Sequence, residues 1–192
     1  MMTDKKTLVI LSGAGVSAES GLGTFRDSGG LWEKYAIEDV ATPEAWKKNP
    51  ALVTSFYNMR RKQAYEAQPN LAHQTIAELE DFFNVVVITQ NIDTLHEKAG
   101  STNVLHLHGR IDQVKSSGPN AEKAYYEQPN WEVKLTDLCP EGYPLRPHVV
   151  WFGEAVPMLE EAARIVEKAD VFVVIGTSLN VYPAAGLVDL VK

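Results

Sequence analysis

Gly13-Ala14-Gly15-Val16-Ser17 follows directly on the apolar run Thr7-Leu8-Val9-Ile10-Leu11. A buried strand that breaks into Gly-x-Gly and then a helix aims backbone N–H groups and the positive helix end at a phosphate. The next glycine, Gly21, falls six positions after Gly15, so the spacing is not that of the hydride-transferring dehydrogenases. From Gly21 to Asp27 the chain continues as a polar, glycine-punctuated stretch carrying an aromatic (Phe25), a cation (Arg26) and an anion (Asp27), the make-up of a loop that closes over a ligand. Three more polar clusters end apolar runs: Gln90-Asn91-Ile92-Asp93, His108-Gly109 and Gly176-Thr177-Ser178. Amides and a carboxylate can hold hydroxyl groups, and an imidazole titrates near neutrality.

Strands must carry these clusters. Val85-Val86-Val87-Ile88-Thr89 and Val171-Phe172-Val173-Val174-Ile175 are short β-branched runs, and Val104-Leu105-His106-Leu107-His108 alternates. In that last strand His106 and His108 share one face. Helical patterns separate the strands: Pro50 to Ala67, Leu71 to Asp81, Asp93 to Ala99 and Pro157 to Lys168. Strands interleaved with helices predict an α/β fold, a Rossmann-like parallel sheet with helices on both faces. Ligands bind such sheets beyond the carboxyl ends of the strands, which is where the four polar clusters fall. The Rossmann-like part takes residues 1–20, 70–111 and 146–192. A small module forms from two insertions, 21–69 and 112–145, the second broken by Pro119, Pro129, Pro140 and Pro144 and without periodicity.

Composition limits the function classes. The net charge of −7 argues against nucleic acid as the main partner. No apolar window is long enough to span a membrane, and the N-terminus lacks a signal-peptide core. The one cysteine, Cys139, excludes an intrachain disulfide and a four-cysteine zinc site, and fits a cytoplasmic setting.

The chain resembles the sirtuins, NAD-dependent protein-lysine deacylases. The matching blocks are Gly13 to Ser17 through Phe25-Arg26-Asp27, Thr89-Gln90-Asn91-Ile92-Asp93 with Leu95-His96, Leu107-His108-Gly109, Val150-Trp151-Phe152-Gly153-Glu154, and Gly176-Thr177-Ser178-Leu179-Asn180-Val181-Tyr182-Pro183-Ala184. The resemblance implies NAD consumed as a co-substrate, with acyl-lysine proteins as partners. Gly13, Ala14, Gly15, Ser17, Glu19, Phe25, Arg26 and Trp32 would hold or cover NAD. Gln90, Asn91, Ile92 and Asp93 would contact the nicotinamide and its ribose, and Gly176, Thr177, Ser178 and Val181 the adenosine side. His108 would be the general base, while His73, His96, His106 and His148 read as structural. Val150, Trp151, Phe152, Gly153 and Glu154 would pair with the substrate peptide as an edge strand. The products would be free lysine, nicotinamide and O-acyl-ADP-ribose.

Within the family, the resemblance is to the desuccinylase-type (class III) bacterial members. Tyr57 and Arg60 sit three apart on one helix face. In that branch such a pair holds the distal carboxylate of a succinyl, malonyl or glutaryl group through charge-assisted donors. Ala41 aligns with the small residue that widens the acyl pocket there. Succinyl and malonyl removal is expected, with acetyl removal retained to some degree.

The chain departs from the family in two places. With only Cys139, and with Ser116 and Ser117 near the first expected cysteine pair, no bound zinc is expected. The C-terminus is short, which leaves open a module that binds NAD or ADP-ribose without turnover. An ADP-ribosyltransferase is the third reading of the same cofactor chemistry.

Overall fold

The computed structural model describes residues 5–24, 34–119, 121 and 124–191. The chain divides into two compact units, one of Met1–Thr24, Gln68–His108 and Val156–Lys192, the other of Phe25–Ala67 and Gly109–Ala155.

In the first unit, β1 (Thr7–Ser12), β2 (Asn84–Thr89), β3 (Val104–His106) and β7 (Val171–Ile175) form a parallel sheet in the order β3-β2-β1-β7. The pleat turns Val9 and Leu11 to one face and Leu8 and Ile10 to the other. Val9 and Leu11 pack with Ile88 and Leu107 against Ala162 and Val166 of the Leu159–Val166 helix and Leu187 of the 3-10 helix Ala184–Leu190. Leu8 and Ile10 pack with Val85 and Val87 against Ile76 of the Leu71–Glu78 helix. Each fully buried aliphatic side chain contributes about 1.5–3 kcal/mol, which fixes a helical layer on each face. The Leu71–Glu78 helix starts where it does because Asn70 caps it, its side chain accepting from Ala72 N while His73 reaches back to the Asn70 N–H.

The third strand is shorter than its alternation suggests. Leu107 N still donates to Thr89 O at 2.9 Å, but strand pairing stops at His106 and Leu107-His108 already turn. His106 and His108 therefore do not lie on one strand.

In the second unit, β4 (Gly109–Ser116) pairs antiparallel with β5 (Tyr125–Glu127) and β6 (Leu145–Val149), in the order β5-β4-β6. Gly109 opens β4 at φ +80°, and a Cβ there would lie 2.1 Å from His148 O, so no other residue fits. Three helices, Ile37–Val40, Pro43–Lys48 and Pro50–Glu66, complete the unit. The last two begin with proline after a capping residue: Thr42 accepts from Ala45 N and Asn49 from Leu52 N.

The unit boundaries differ from the expected ones. Residues 109–111 and 146–155 belong with the small unit, because β6 pairs with β4 and not with the parallel sheet. Among the described residues no helix is long and apolar enough to cross a membrane.

Candidate functional site

The glycines after β1 do a different task from the one their spacing suggests. Gly13 N donates to Ile175 O at 3.0 Å and Gly15 N to Gly176 O at 2.8 Å, so both N–H groups are taken. The ends of β1 and β7 lie so close that a Cβ on Gly13 would meet the Thr177 Cβ at 2.6 Å, and one on Gly176 would meet Val16 N at 2.3 Å. These glycines permit backbone to meet backbone. The N–H of Ala14, which begins the 3-10 helix Ala14–Ser20, has no partner within the helix and, among the described residues, makes no other backbone hydrogen bond. Thr177 Oγ1 accepts from Gln90 Nε2 at 3.0 Å, which ties the ends of β2 and β7 together as well.

Below this rim sits a fully used hydroxyl. Ser17 Oγ donates to Asp93 Oδ2 at 3.1 Å and accepts from Asn91 Nδ2 at 3.2 Å. Asn70 N donates to His73 Nδ1, so the His73 proton is on Nε2, which meets Ser17 Oγ at 3.3 Å. Burial lowers the His73 pKa, which keeps the ring neutral. Asp93 Oδ1 also accepts from Leu95 N, so both of its oxygens are held. Ser17, Asn91 and Asp93 thus form one rigid polar cluster, each less than a tenth exposed. His73, read as structural from sequence, proves to orient this cluster. The only trace of that in the sequence is its place three residues after the cap Asn70.

His108 is half-buried, and its Nδ1 lies 3.0 Å from Gln90 O. A carbonyl can only accept, so Nδ1 carries the proton and Nε2 keeps its lone pair. Burial lowers the His108 pKa more than the Gln90 hydrogen bond raises it. A neutral imidazole with a bare Nε2 is a competent proton acceptor at neutral pH. His106 is held in parallel fashion, Nδ1 on Asn91 O at 2.9 Å, but its Nε2 is engaged by Glu97 at 2.7 Å. Among the described residues, only His108 of the two keeps a free nitrogen. His96 is buried beneath, bonded through Nε2 to Ser12 Oγ at 3.0 Å, and burial takes its pKa down to about 4.

The structure therefore brings together Gly13, Ala14, Gly15, Ser17, Gln90, Asn91, Asp93, His108, Gly176 and Thr177. Glu19 and Ser178 are exposed, Ile92 and Val181 half-buried, and none of these four joins the hydrogen bonds above. Phe25, Arg26 and Trp32 lie outside the described residues. A rim of amide, hydroxyl and carboxylate groups beside a neutral imidazole matches the hydroxyls and amide of a nicotinamide dinucleotide.

The second unit carries the acyl and peptide candidates. Tyr57, Arg60 and Arg61 on the Pro50–Glu66 helix are all buried, so this is not a solvated helix face. Arg61 is a tie within the unit: Nε donates to Ile111 O at 2.7 Å and Nη1 to Trp131 O at 3.1 Å. Burial, the largest influence, lowers its pKa to about 10. Burial likewise raises the Tyr57 hydroxyl far above its ordinary value, so it stays protonated. Tyr57 Oη accepts from Trp151 Nε1 at 3.0 Å. Ala41 is buried and its carbonyl accepts from Phe152 N at 3.0 Å.

Within the chain itself, residues 150–154 form no strand. β6 ends at Val149, and Glu154 N donates to Trp151 O at 3.0 Å, which closes a turn. The N–H of Trp151 is spent on Glu154 Oε2 at 2.8 Å and that of Phe152 on Ala41. Arg146 grips the turn, reaching Glu154 Oε1 and Oε2 at 2.8 and 3.1 Å and lying 3.3 Å over the Trp151 ring. The sequence does not single out this arginine, because its partners, three to eight residues on, lie across a turn that no helix or strand period signals.

A structural zinc does not fit the residues present. Cys139 Sγ meets Ser116 Oγ at 3.3 Å, a thiol against a hydroxyl where four strong ligands are needed. Among the described residues no group of three or more His, Cys, Asp or Glu is placed to hold a metal ion.

Comparison with known proteins agrees with this geometry. Residues 13–183 match the Sir2 family. The chain is 58% identical over 189 residues to an NAD-dependent protein deacylase of Bacteroides thetaiotaomicron, covering 97% of this chain and 81% of that one. It is 54% identical over 183 residues to an NAD-dependent protein deacylase of Helicobacter pylori, covering 95% and 78%. A crystal structure of a Sir2 homologue in complex with NAD superimposes with a TM-score of 0.88 at 47% identity, covering 98% of this chain and 74% of that one. The chain belongs to the Sir2 family, the sirtuins.

Proposed function

We propose that the protein is an NAD-dependent protein-lysine deacylase that prefers acidic acyl groups, succinyl and malonyl above acetyl. Membership of the Sir2 family and the names of the relatives support the deacylase chemistry. The acyl preference rests on one observation: Tyr57 and Arg60, three residues apart on one helix, are both withdrawn from water, at 4% and 8% exposure. A protonated phenol and a guanidinium in such surroundings suit the distal carboxylate of a dicarboxylic acyl chain.

Bound NAD supplies a ribose carbon made electrophilic by its cationic nicotinamide leaving group. The chain's own residues do the rest. His108 accepts the proton of a ribose hydroxyl at Nε2, while its Nδ1–H stays on Gln90 O and fixes the ring. The Ser17–Asn91–Asp93 cluster orients polar groups of the nicotinamide end without rearranging, since its internal bonds are already made. In the second unit, Arg60 and Tyr57 hold the acyl end, Ala41 leaves room for it, and the backbone groups of residues 150–154 that the turn does not use serve the peptide.

The acyl preference is tested by kcat/KM on succinyl-lysine and acetyl-lysine peptides of one sequence, in wild type and Arg60→Met. Removing the arginine costs the succinyl peptide about 2–5 kcal/mol of transition-state stabilisation, or about 30-fold and more, because the buried carboxylate loses its partner. The acetyl peptide changes far less. Equal losses on both peptides would refute the preference.

A further inference from the structure

Trp151 stands outside the expected chemistry of the acyl site, yet it makes the one hydrogen bond that settles which way the Tyr57 proton points. An indole N–H is a donor only, so no tautomer or flip blurs the assignment. At 3.0 Å its partner, Tyr57 Oη, can only be accepting. Among the described residues the Tyr57 hydroxyl donates to no group, although the side chain is 4% exposed. It is a buried hydroxyl with one lone pair engaged and, among the described residues, its proton unspent.

The indole cannot turn away from this role. The Arg146 guanidinium covers its ring at 3.3 Å, and Trp46 packs beside it at a centroid distance of 6.0 Å. Its backbone N–H is fixed on Glu154 Oε2, and Glu154 is in turn bound through both oxygens by Arg146. Arg146 also donates to Val149 O at 3.0 Å, which anchors the clamp to the end of β6. The chain spends a buried ion pair and a ring stack to hold one N–H in place.

We infer that Trp151 is a positioning residue for acyl selection: by occupying the acceptor side of Tyr57, it turns that hydroxyl into an obligate donor aimed at an acyl end that only accepts. A carboxylate has acceptors alone and satisfies the donor, whereas the methyl of an acetyl group leaves it unspent. The inference rests on the acyl reading above and adds the source of the hydroxyl's direction. It predicts that the phenol alone is insufficient. Without the indole N–H, Tyr57 Oη is free to take a proton as well as give one, and part of its selectivity disappears.

The test is a cycle of Tyr57→Phe, Trp151→Phe and the double variant, read as the ratio of kcat/KM for succinyl-lysine over acetyl-lysine peptides. Trp151→Phe lowers the ratio about fivefold to tenfold, mostly through KM for the succinyl peptide. In the Tyr57→Phe background the same change moves the ratio less than twofold, because the hydroxyl it orients is gone. Independent, additive effects, or a fall in turnover that leaves the ratio unchanged, would overturn the inference. A selective loss in Tyr57→Phe and Arg60→Met but none in Trp151→Phe refutes this inference and spares the acyl reading. No selective loss in any of them removes both. Should Trp151→Phe fail to fold, the wild-type indole proton decides by nuclear magnetic resonance. A downfield, exchange-protected Trp151 resonance that moves upfield in Tyr57→Phe upholds the bond, and a solvent-exchanging one refutes it.

Discussion

At the scale of single residues, the chemistry depends on where protons are. His108 carries its proton on Nδ1 against Gln90 O, leaving Nε2 bare, and burial lowers its pKa below the ordinary 6.5. The sign follows directly. A base with a lowered pKa is neutral and active above that pKa, and loses activity as falling pH protonates Nε2. The acid limb of kcat/KM for deacylation therefore lies below pH 6.5, the ordinary histidine value, and a limb at or above it would contradict this assignment. The resemblance singles out His108 as the base, and the sequence adds that a histidine-glycine ends an apolar run, with a Gln-Asn-x-Asp cluster ending another. The tautomer of His108 was not legible, since that depends on a carbonyl eighteen residues away. The same limit hid the part played by His73, whose link to Ser17 spans fifty-six positions. That Tyr57 and Arg60 share a helix face was readable from their spacing, and their acyl role comes from the resemblance alone, while the Trp151 partner of Tyr57, ninety-four positions on, was not readable.

Elements were legible in proportion to their periodicity. All four parallel strands fall within the apolar runs of the sequence, although the third stops at His106, short of its polar cluster, and the Pro50–Glu66 helix begins at its proline. β4 and β6 escaped notice because Gly109–Ser116 and Leu145–Val149 mix charged and apolar residues without clean alternation, and their pairing carries a register shift. The resemblance places residues 150–154 as a strand pairing with the substrate peptide; in the chain alone Trp151–Glu154 form a turn, held by the Arg146–Glu154 salt bridge. That salt bridge sets a test at this scale. Arg146 and Glu154 have side chains only 9% and 22% exposed, so removing one partner strands the other. Glu154→Gln is expected to destabilise the protein by about 2–4 kcal/mol in urea unfolding. Burial, the largest single influence, pushes the Glu154 carboxyl up, but the hydrogen bonds and charge of Arg146 together hold it below the ordinary carboxylate value. The pair's stabilisation is present at neutral pH and is lost as pH falls through that lowered pKa. A variant as stable as wild type at neutral pH would show that the turn does not depend on the ion pair.

For the whole molecule, the chain divides into two compact units: one carries the polar cluster at the strand ends, the other the residues proposed for the acyl group and the peptide, on a helix and a turn. The class of the larger unit was readable because strands and helices interleave, and its motifs carry the family. The extent of the smaller unit was not, since residues 109–111 and 146–155 join it through sheet pairing between distant segments. Nicotinamide release joins the two contributions in one number, because it requires both a bound cofactor and an acyl-lysine acceptor. Purified protein with NAD and a succinyl-lysine peptide should release one nicotinamide for each lysine freed, and neither product should accumulate with His108→Tyr. A folded protein that binds NAD and releases none would contradict the deacylase function and leave a binding module in its place.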